Sequence, residues 1–214
     1  WLINGGPQTE SYLFNLCDTA AVAWLSRYIN RFMDENGIDH YRQDYNIEPA
    51  GFWTANDEPG REGVTENHYV EGLYAYWDNI LKHHPHGFID NCAGGGRRLD
   101  LETIQRSAPL WRTDYRYGEP VGYQTHTFGL ALWLPQTGTG VMGSDKFSSR
   151  SSLSTTVVYD WKITEPEFNL TEVRQLMDEY EELRPYYFED YYPLTGTDRV
   201  LGDSIWLAYE LNRP

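Results

Sequence analysis

The chain has 214 residues, 40% of them hydrophobic and 15% aromatic, which is enough for one large domain with a packed core. Its formal net charge of −15, from 17 basic and 32 acidic residues, argues against nucleic acid or an anionic membrane surface as a partner. A neutral partner such as a sugar is compatible with that charge. No apolar run approaches the ~20 residues of a membrane span, and no signal peptide is visible, which leaves localisation undetermined.

The cysteines and histidines give no metal or redox pattern. Cys17 and Cys92 lie in different sequence contexts and do not indicate a disulfide scaffold. The six histidines show no HxxH or HExxH spacing, although His83, His84 and His86 cluster at an expected helix-to-strand turn. The sequence therefore predicts no metal site and no cofactor.

Helix and strand signals alternate along the chain. Asp18 is a suitable N-cap for a first helix over 18–36, and Gly37 is a suitable residue to end it. The helical spacing of four residues predicts the apolar face of this helix, namely Val22, Leu25, Ile29 and Phe32. The spacing of turn residues and apolar runs then predicts a strand at 38–45, a polar loop at 46–63, a helix from Thr65, its expected N-cap, to Pro85, and a strand at 88–91. A glycine run at 94–96 and a helix at 101–107, capped by Asp100, come next. The remaining predicted elements are a strand at 110–115, a further unit within 127–143, a strand at 155–160 and a helix at 170–184. This order is typical of an α/β fold with a parallel sheet.

Three of the predicted strands carry an aspartate near their carboxyl end, namely Asp44, Asp90 and Asp114. The carboxyl ends of the strands carry the chemistry in a (β/α)8 TIM barrel and also in a doubly wound sheet. The glycine run after Cys92 lacks the phosphate-loop pattern that a doubly wound sheet usually shows. We therefore predict the C-terminal portion of a (β/α)8 barrel, with about five βα units.

The pattern changes after Pro193, where Ile205, Leu207 and Tyr209 alternate with other residues. We predict that residues 1–192 form the incomplete barrel and that residues 193–214 are the first strands of a C-terminal β domain. Because a barrel needs eight strands, we expect the chain to be a fragment or another segment to supply the first strands. We expect little activity from the 214 residues alone.

Two carboxylates of different character are the requirement for hydrolysing a glycosidic bond. Arg42 lies two residues before Asp44 and therefore on the same face of the strand, where its cation would keep Asp44 ionised. Trp111, near Asp114, is a candidate wall for a sugar, and an apolar wall favours the protonated acid. The residues alone also fit a structural interpretation, in which these aspartates are helix caps or loop anchors and Arg42 is an ion-pair partner.

Three blocks carry a resemblance to a known family. They are Gly37-Ile38-Asp39 leading to Arg42-Gln43-Asp44-Tyr45-Asn46, then Ile89-Asp90-Asn91-Cys92-Ala93-Gly94-Gly95-Gly96-Arg97, and finally Leu110-Trp111-Arg112-Thr113-Asp114. Their order and separation resemble glycoside hydrolase family 36, the melibiase-type α-galactosidases, whose clan also holds family 27. The resemblance extends from about residue 10 to the end.

The resemblance implies a retaining α-galactosidase that needs no cofactor and acts on an α-galactoside oligosaccharide or glycoconjugate. It assigns Asp44 as the nucleophile and Asp114 as the general acid/base, and it implies a C-terminal β-sandwich. The substrate-binding residues that it implies are Arg42, Asn46, Asn91, Cys92, Gly94 and Trp111. The sequence departs from the family pattern where Arg42 replaces a lysine and Gln43 replaces an aromatic residue.

The residues that hold the galactose hydroxyls in the family precede the part of the pattern found in this chain. Three alternatives to α-galactosidase therefore stay open: an α-N-acetylgalactosaminidase, a transglycosylase similar to raffinose or stachyose synthase, and a non-catalytic carbohydrate-binding remnant. The oligomeric state also stays open, a homo-oligomer included.

Overall fold

Residues 1–5, 11–114, 119–134, 136–196, 204 and 206–212 are described by a computed structural model of the chain. They fall into two units. The first contains Trp1–Asp90 and Leu99–Ser107, and the second contains Asn91–Arg98 and Ala108–Pro214. The predicted domain division between residues 192 and 193 stays a prediction. Within the described ranges, no helix has both the length and the apolar character required to cross a bilayer.

The first unit mixes short strands with two long helices. Its elements are β1 (Leu2–Asn4), β2 (Tyr12–Phe14), α1 (Thr19–Asn36), β3 (Tyr41–Gln43), α2 (Ala50–Thr54), α3 (Val64–His83), β4 (Ile89–Asn91, whose last residue belongs to the second unit) and α4 (Leu101–Ile104). Strands β1 and β2 pair antiparallel, and β3 pairs with β4. Helix α2 lies inside the segment predicted as a loop, because a helix of five residues is too short to give a periodic pattern of apolar residues.

Local capping signals fix the ends of several helices as predicted. The Asp18 carboxylate accepts from the backbone N–H groups of Ala20 and Ala21, at 2.8 and 3.4 Å. Gly37 ends α1 in the left-handed conformation, with φ of 63°. Asp100 forms a capping box with Thr103 at the start of α4. These caps need only neighbouring residues, and all three predictions are confirmed.

Helix α3 begins differently from the prediction, because Thr65 is not its cap. Asp57, which lies in the preceding loop, accepts from the backbone N–H groups of Gly63 and Thr65, at 2.8 and 2.9 Å. These hydrogen bonds lower the pKa of the Asp57 carboxyl, and hydrogen bonding with Thr65 has the largest effect. The Asp57 carboxylate, eight residues before Thr65, therefore accepts the backbone hydrogen bonds that the sequence assigns to the Thr65 hydroxyl.

The core of the first unit lies between α1, α3 and the short strands, with Trp77 and Ile89 at its centre, both fully buried. On α1, Val22, Leu25 and Ile29 are partly buried against this core, but Phe32 is 47% exposed. The predicted apolar face of α1 is therefore wrong at its last position. The residues of α1 that are buried most deeply are Ala21, Ser26, Asn30 and Met33.

The second unit continues the alternation of helix and strand. Its elements are α5 (Pro120–Leu130), β5 (Gly138–Val141), α6 (Lys146–Ser151), β6 (Thr156–Tyr159), α7 (Leu170–Leu183), a 3-10 helix (Arg184–Phe188), β7 (Asp190–Pro193) and β8 (Tyr209–Asn212). Strands β5 and β6 are parallel, with Gly138 opposite Thr156 and Val141 opposite Tyr159. Strands β7 and β8 pair antiparallel, and Ile205 lies outside the described residues.

Of the strand predicted at 110–115, residues 110–114 are described, and the segment that contains them hydrogen bonds on two sides without forming an assigned strand. Asn91 N–H donates to the carbonyl of Ala108 at 3.4 Å, Gly138 N–H donates to Pro109 at 3.0 Å, and Arg112 N–H donates to Gly138 at 3.1 Å. A Cβ at Gly138 would lie 2.1 Å from the Leu110 carbonyl oxygen, so only glycine permits this approach. The fold is thus α/β, while the sheets over the described residues are four separate strand pairs rather than one curved sheet.

Arg112, in this extended segment, is 2% exposed. Its guanidinium donates to the Tyr123 carbonyl at 3.0 Å and to the Thr127 and Thr137 hydroxyls at 2.6 and 3.3 Å. Burial lowers its pKa to about 10, so the side chain stays a cation at neutral pH. The hydrogen bonds tie the extended segment to α5.

Candidate active site

In the first unit, Arg42 lies between Asp44, which directly follows β3, and Asp90, which is the middle residue of the paired strand β4. Its Nη1 donates to Oδ2 of Asp90, and its Nη2 lies 3.5 Å from Oδ2 of Asp44. Arg42 and Asp44 are exposed, whereas Asp90 is 7% exposed. The structure therefore places Arg42 and Asp44 on one face, as the two-residue spacing predicts, and it adds Asp90 as a buried member of the cluster.

Gln43 points to the opposite side of β3. Its Oε1 accepts a hydrogen bond from the indole N–H of Trp77 at 2.7 Å, which anchors the strand to the core. The alternation of β3 thus turns Gln43 inward and Arg42 outward. Asn46, two residues beyond Asp44, is exposed.

In the second unit, the loop that follows β4 is held closed by two arginines. Arg97 Nε donates to the Ala93 carbonyl, and Arg98 Nη2 donates to the Cys92 carbonyl, each at 2.8 Å. The Asn91 side chain is 1% exposed and donates to the Arg98 carbonyl at 3.0 Å. Two predicted substrate-binding residues, Asn91 and Cys92, are therefore buried in this unit, and neither cysteine of the chain forms a disulfide.

The glycine run brings this loop against the backbone that carries Asp114. Gly94 and Gly95 have φ of 53° and 77°, in the region that favours glycine. A Cβ at Gly95 would lie 2.4 Å from the backbone nitrogen of Asp114 and 2.7 Å from Thr113. Gly95 is the glycine that permits the close approach between the loop and Asp114, and the predicted substrate-binding role of Gly94 stays a prediction.

Asp114 itself is exposed and is oriented by Trp111. The indole N–H of Trp111 donates to Oδ1 of Asp114 at 2.7 Å. The Trp111 ring lies against Gly140 of β5, where a Cβ would come within 2.6 Å of the ring carbons. Trp111 therefore offers Asp114 a polar hydrogen-bond donor, and its predicted role as a wall for the sugar stays a prediction.

The predicted site residues thus form two groups, each inside one unit. Arg42 and Asp44 lie together in the first unit, with Asn46 nearby along the chain. In the second unit, Trp111 contacts Asp114, while the loop at 91–98 contains Asn91, Cys92 and Gly94. Sequence reasoning left Asp90 and Gly95 outside the site. Both carried a signal, because Asp90 lies near the end of a predicted strand as Asp44 does, and Gly95 lies inside one of the recognised blocks.

We expect Gly95→Ala to destabilise the protein more than Gly60→Ala does. The two glycines have nearly the same φ, 77° and 78°, but a Cβ at Gly60 meets nothing within 4 Å. Both variants lose roughly 1–2 kcal/mol because alanine is strained in the left-handed region. Gly95→Ala should lose a further ~1–3 kcal/mol from the overlap with the Asp114 backbone. Thermal denaturation measures the difference, and equal losses would contradict the close approach.

Helices that alternate with short strands, one pair of which is parallel, define an α/β protein, and two exposed aspartates, Asp44 and Asp114, lie beside Arg42 and Trp111. The sequence profile of the melibiase family matches residues 6–187. The chain belongs to the melibiase family, and its resemblance to glycoside hydrolase family 36 is confirmed.

Three curated or solved relatives illustrate the similarity. The bifunctional α-galactosidase/sucrose kinase AgaSK of Mediterraneibacter gnavus is 21% identical over 164 residues, covering 72% of this chain and 16% of that protein. An α-galactosidase of Escherichia coli is 25% identical over 104 residues, covering 48% of this chain and 14% of that protein. Among solved structures, the family 36 α-galactosidase AgaA of Geobacillus stearothermophilus, in complex with 1-deoxygalactonojirimycin, superposes with a TM-score of 0.78 at 20% identity.

The superposition with AgaA covers 95% of this chain and 30% of the AgaA chain. The galactosidase domain of AgaSK superposes with a TM-score of 0.74 at 17% identity, over 91% of this chain and 28% of that domain. At this identity the superpositions establish the fold. The chain spans about a sixth of the length of the curated relatives that it matches.

Proposed function

We propose that the protein is a retaining α-glycoside hydrolase, specifically an α-galactosidase, whose catalytic domain is a (β/α)8 barrel to which this chain contributes the C-terminal portion. The single observation that carries the proposal is the Arg42 guanidinium shared by Asp44, which follows β3, and Asp90, which lies in the paired strand β4, in a chain of the melibiase family. An ionised carboxylate beside a fixed cation is the environment that a glycosidase nucleophile needs.

In the proposed mechanism, Asp44 attacks the anomeric carbon while Asp114 protonates the leaving oxygen. The bond to the leaving group breaks, and a β-linked glycosyl-enzyme forms on Asp44. Asp114, now a carboxylate, takes a proton from water, and the water oxygen displaces Asp44. Two inversions return the sugar in the α configuration.

The structure supports distinct roles for the two aspartates. Asp44 lies beside a cation, which stabilises a charged nucleophile. Asp114 accepts a hydrogen bond at Oδ1 from the indole of Trp111, and the proposal is that this bond fixes the rotation of the carboxyl group while Oδ2 exchanges the proton. Arg42 and Trp111 are thereby proposed to position the aspartates as well as to contact the sugar.

The proposed substrate is a terminal α-linked galactose. Solved family 36 neighbours carry raffinose and stachyose in their complexes, which supports an oligosaccharide substrate. Buried Asn91 and Cys92, with Gly94 in the same loop, are proposed to line the sugar pocket, and Asn46 is proposed to contact the substrate from the first unit. No cofactor takes part in the proposed reaction.

Proton NMR of the first product, with the complete gene product and raffinose as substrate, tests the proposal. We expect α-galactose to appear first and the β anomer to grow only at the rate of mutarotation. Initial formation of β-galactose would contradict the retaining mechanism.

Hydrolysis of an aryl α-N-acetylgalactosaminide in preference to the aryl α-galactoside would identify the alternative sugar, and oligosaccharides formed with excess sucrose would identify a transglycosylase. Binding of raffinose without turnover would identify a carbohydrate-binding remnant.

A further inference from the structure

A cluster of three potential metal ligands lies in the first unit, away from the strand ends that carry Asp44. Asp34 is in the last turn of α1, His83 is the last residue of α3, and His84 follows it. Nε2 of His83 lies 3.0 Å from Oδ2 of Asp34, and Nδ1 of His84 lies 4.0 Å from Oδ1 of Asp34. The two helices pack against each other, so the cluster joins their carboxyl ends.

The spacing of the ligand atoms suits a small divalent ion. One ligand atom from each of the three residues lies within 4.8 Å of the other two. Zinc binds imidazole nitrogen and carboxylate oxygen at about 2.0–2.2 Å in a tetrahedral arrangement, which places neighbouring ligand atoms roughly 3.3 Å apart. The separations of 3.0 and 4.0 Å, which involve the two different oxygens of the Asp34 carboxylate, lie on either side of that value, and binding of one ion by all three residues requires an adjustment of side-chain torsions.

His84 has a coordination capacity that the protein leaves unused. Its Nε2 is buried and has no hydrogen-bond partner among the described residues, and its Nδ1 is too far from Asp34 for a hydrogen bond. The His84 side chain is only 14% exposed, so water does not readily supply the missing hydrogen bond. The nitrogen that faces Asp34 is Nδ1 rather than the buried Nε2, so His84 can bind a metal ion there through Nδ1 when the ring proton is on Nε2.

The electrostatic setting also favours a cation. The carboxyl ends of α1 and α3 carry partial negative charge from the helix dipoles, and the Asp34 carboxylate adds a full charge. The chain as a whole has a net charge of −15. A divalent cation at this position would relieve repulsion between two helix ends and one carboxylate.

We propose that Asp34, His83 and His84 bind one divalent transition-metal ion of the zinc type, with solvent completing the coordination. The ion would link the ends of α1 and α3 and stabilise the packing of these helices. The sequence predicted no metal site because the two histidines are adjacent rather than at HxxH spacing, and because Asp34 is 49 residues before His83. The site becomes visible only when the two helices are packed.

Titration of the tag-free protein with Zn²⁺, followed by calorimetry, tests the proposal. We expect one ion per chain at pH 7.5, and Co²⁺ in its place should give the visible absorption bands of a four-coordinate nitrogen and oxygen site. Affinity should fall at pH 5, because protons compete for the imidazole nitrogens. Bound Zn²⁺ should also raise the melting temperature.

Variants locate the site. His83→Ala, His84→Ala and the isosteric Asp34→Asn should each weaken Zn²⁺ binding at least tenfold. His68→Ala is the matched control, because His68 is an exposed histidine of the same helix outside the cluster, and it should bind Zn²⁺ as the parent does. Unchanged binding in all three variants, an equal loss in His68→Ala, or no binding by the folded parent would each overturn the proposal. Far-UV circular dichroism confirms that each variant is folded.

Discussion

Replacing Asp44 by alanine is expected to lower the turnover of α-galactosides by about 10,000-fold or more. The residue is the proposed nucleophile, and without it no glycosyl-enzyme forms. Azide is small enough to enter the space vacated by the carboxylate and should restore part of the activity. Because azide attacks the substrate directly, the product should be β-galactosyl azide, with inverted configuration. Initial-rate kinetics and NMR of the azide product measure both effects.

Asp39→Ala is the matched control for this experiment. Asp39 is an exposed aspartate five residues earlier in the same segment, and it lies outside the cluster of Arg42, Asp44 and Asp90. The control should keep parental kinetics and give no azide product. Ordinary activity in Asp44→Ala, or an α-galactosyl azide from it, would refute the assignment of the nucleophile.

Arg42 shows why the departure from the family pattern is physically reasonable. An ammonium group is a compact point charge, whereas the guanidinium fork presents separate nitrogens in fixed directions. In this protein Nη1 contacts Asp90 and Nη2 approaches Asp44, so one side chain serves two carboxylates. Asp90 holds the arginine from the buried side and thereby orients the charge that faces Asp44.

The features that the sequence predicted well are local ones. Asp18 and Gly37 bound α1 because a cap is made by residues within one turn of the helix end. The shared face of Arg42 and Asp44 follows from the two-residue period of a strand. The family blocks added the roles of the residues, which no local rule supplies.

The features that were missed depend on contacts between distant segments. Thr65 has the residue type of an N-cap, but the Asp57 carboxylate accepts the hydrogen bond of the Thr65 backbone N–H at this helix end. The segment at 110–115 has the composition of a strand, but the absence of a side chain at Gly138 determines how closely the backbone of Gly138 approaches Leu110. Gly95 resembles any turn glycine in the sequence, and only packing against the Asp114 backbone distinguishes it.

Replacing Asp114 by alanine is expected to have an effect that depends on the leaving group. Poor leaving groups, such as the sugar released from raffinose, need protonation, so their kcat/KM should fall by about 100- to 10,000-fold. An activated aryl galactoside needs little protonation, so the first step should be largely retained and the glycosyl-enzyme should accumulate as a burst of released phenol. Stopped-flow absorbance with aryl galactosides of graded leaving-group acidity measures this dependence.

Azide should again accelerate the Asp114 variant, but with the opposite stereochemistry to that of the Asp44 variant. Asp44 is intact, so azide replaces water in the second step and gives α-galactosyl azide after two inversions. Asp160→Ala is the matched control, because Asp160 is an exposed aspartate that directly follows β6 in the same unit. A uniform loss across all leaving groups, or a β-configured azide, would show that Asp114 is not the acid/base. The two azide products therefore assign the two aspartates independently, since each role predicts a different anomer.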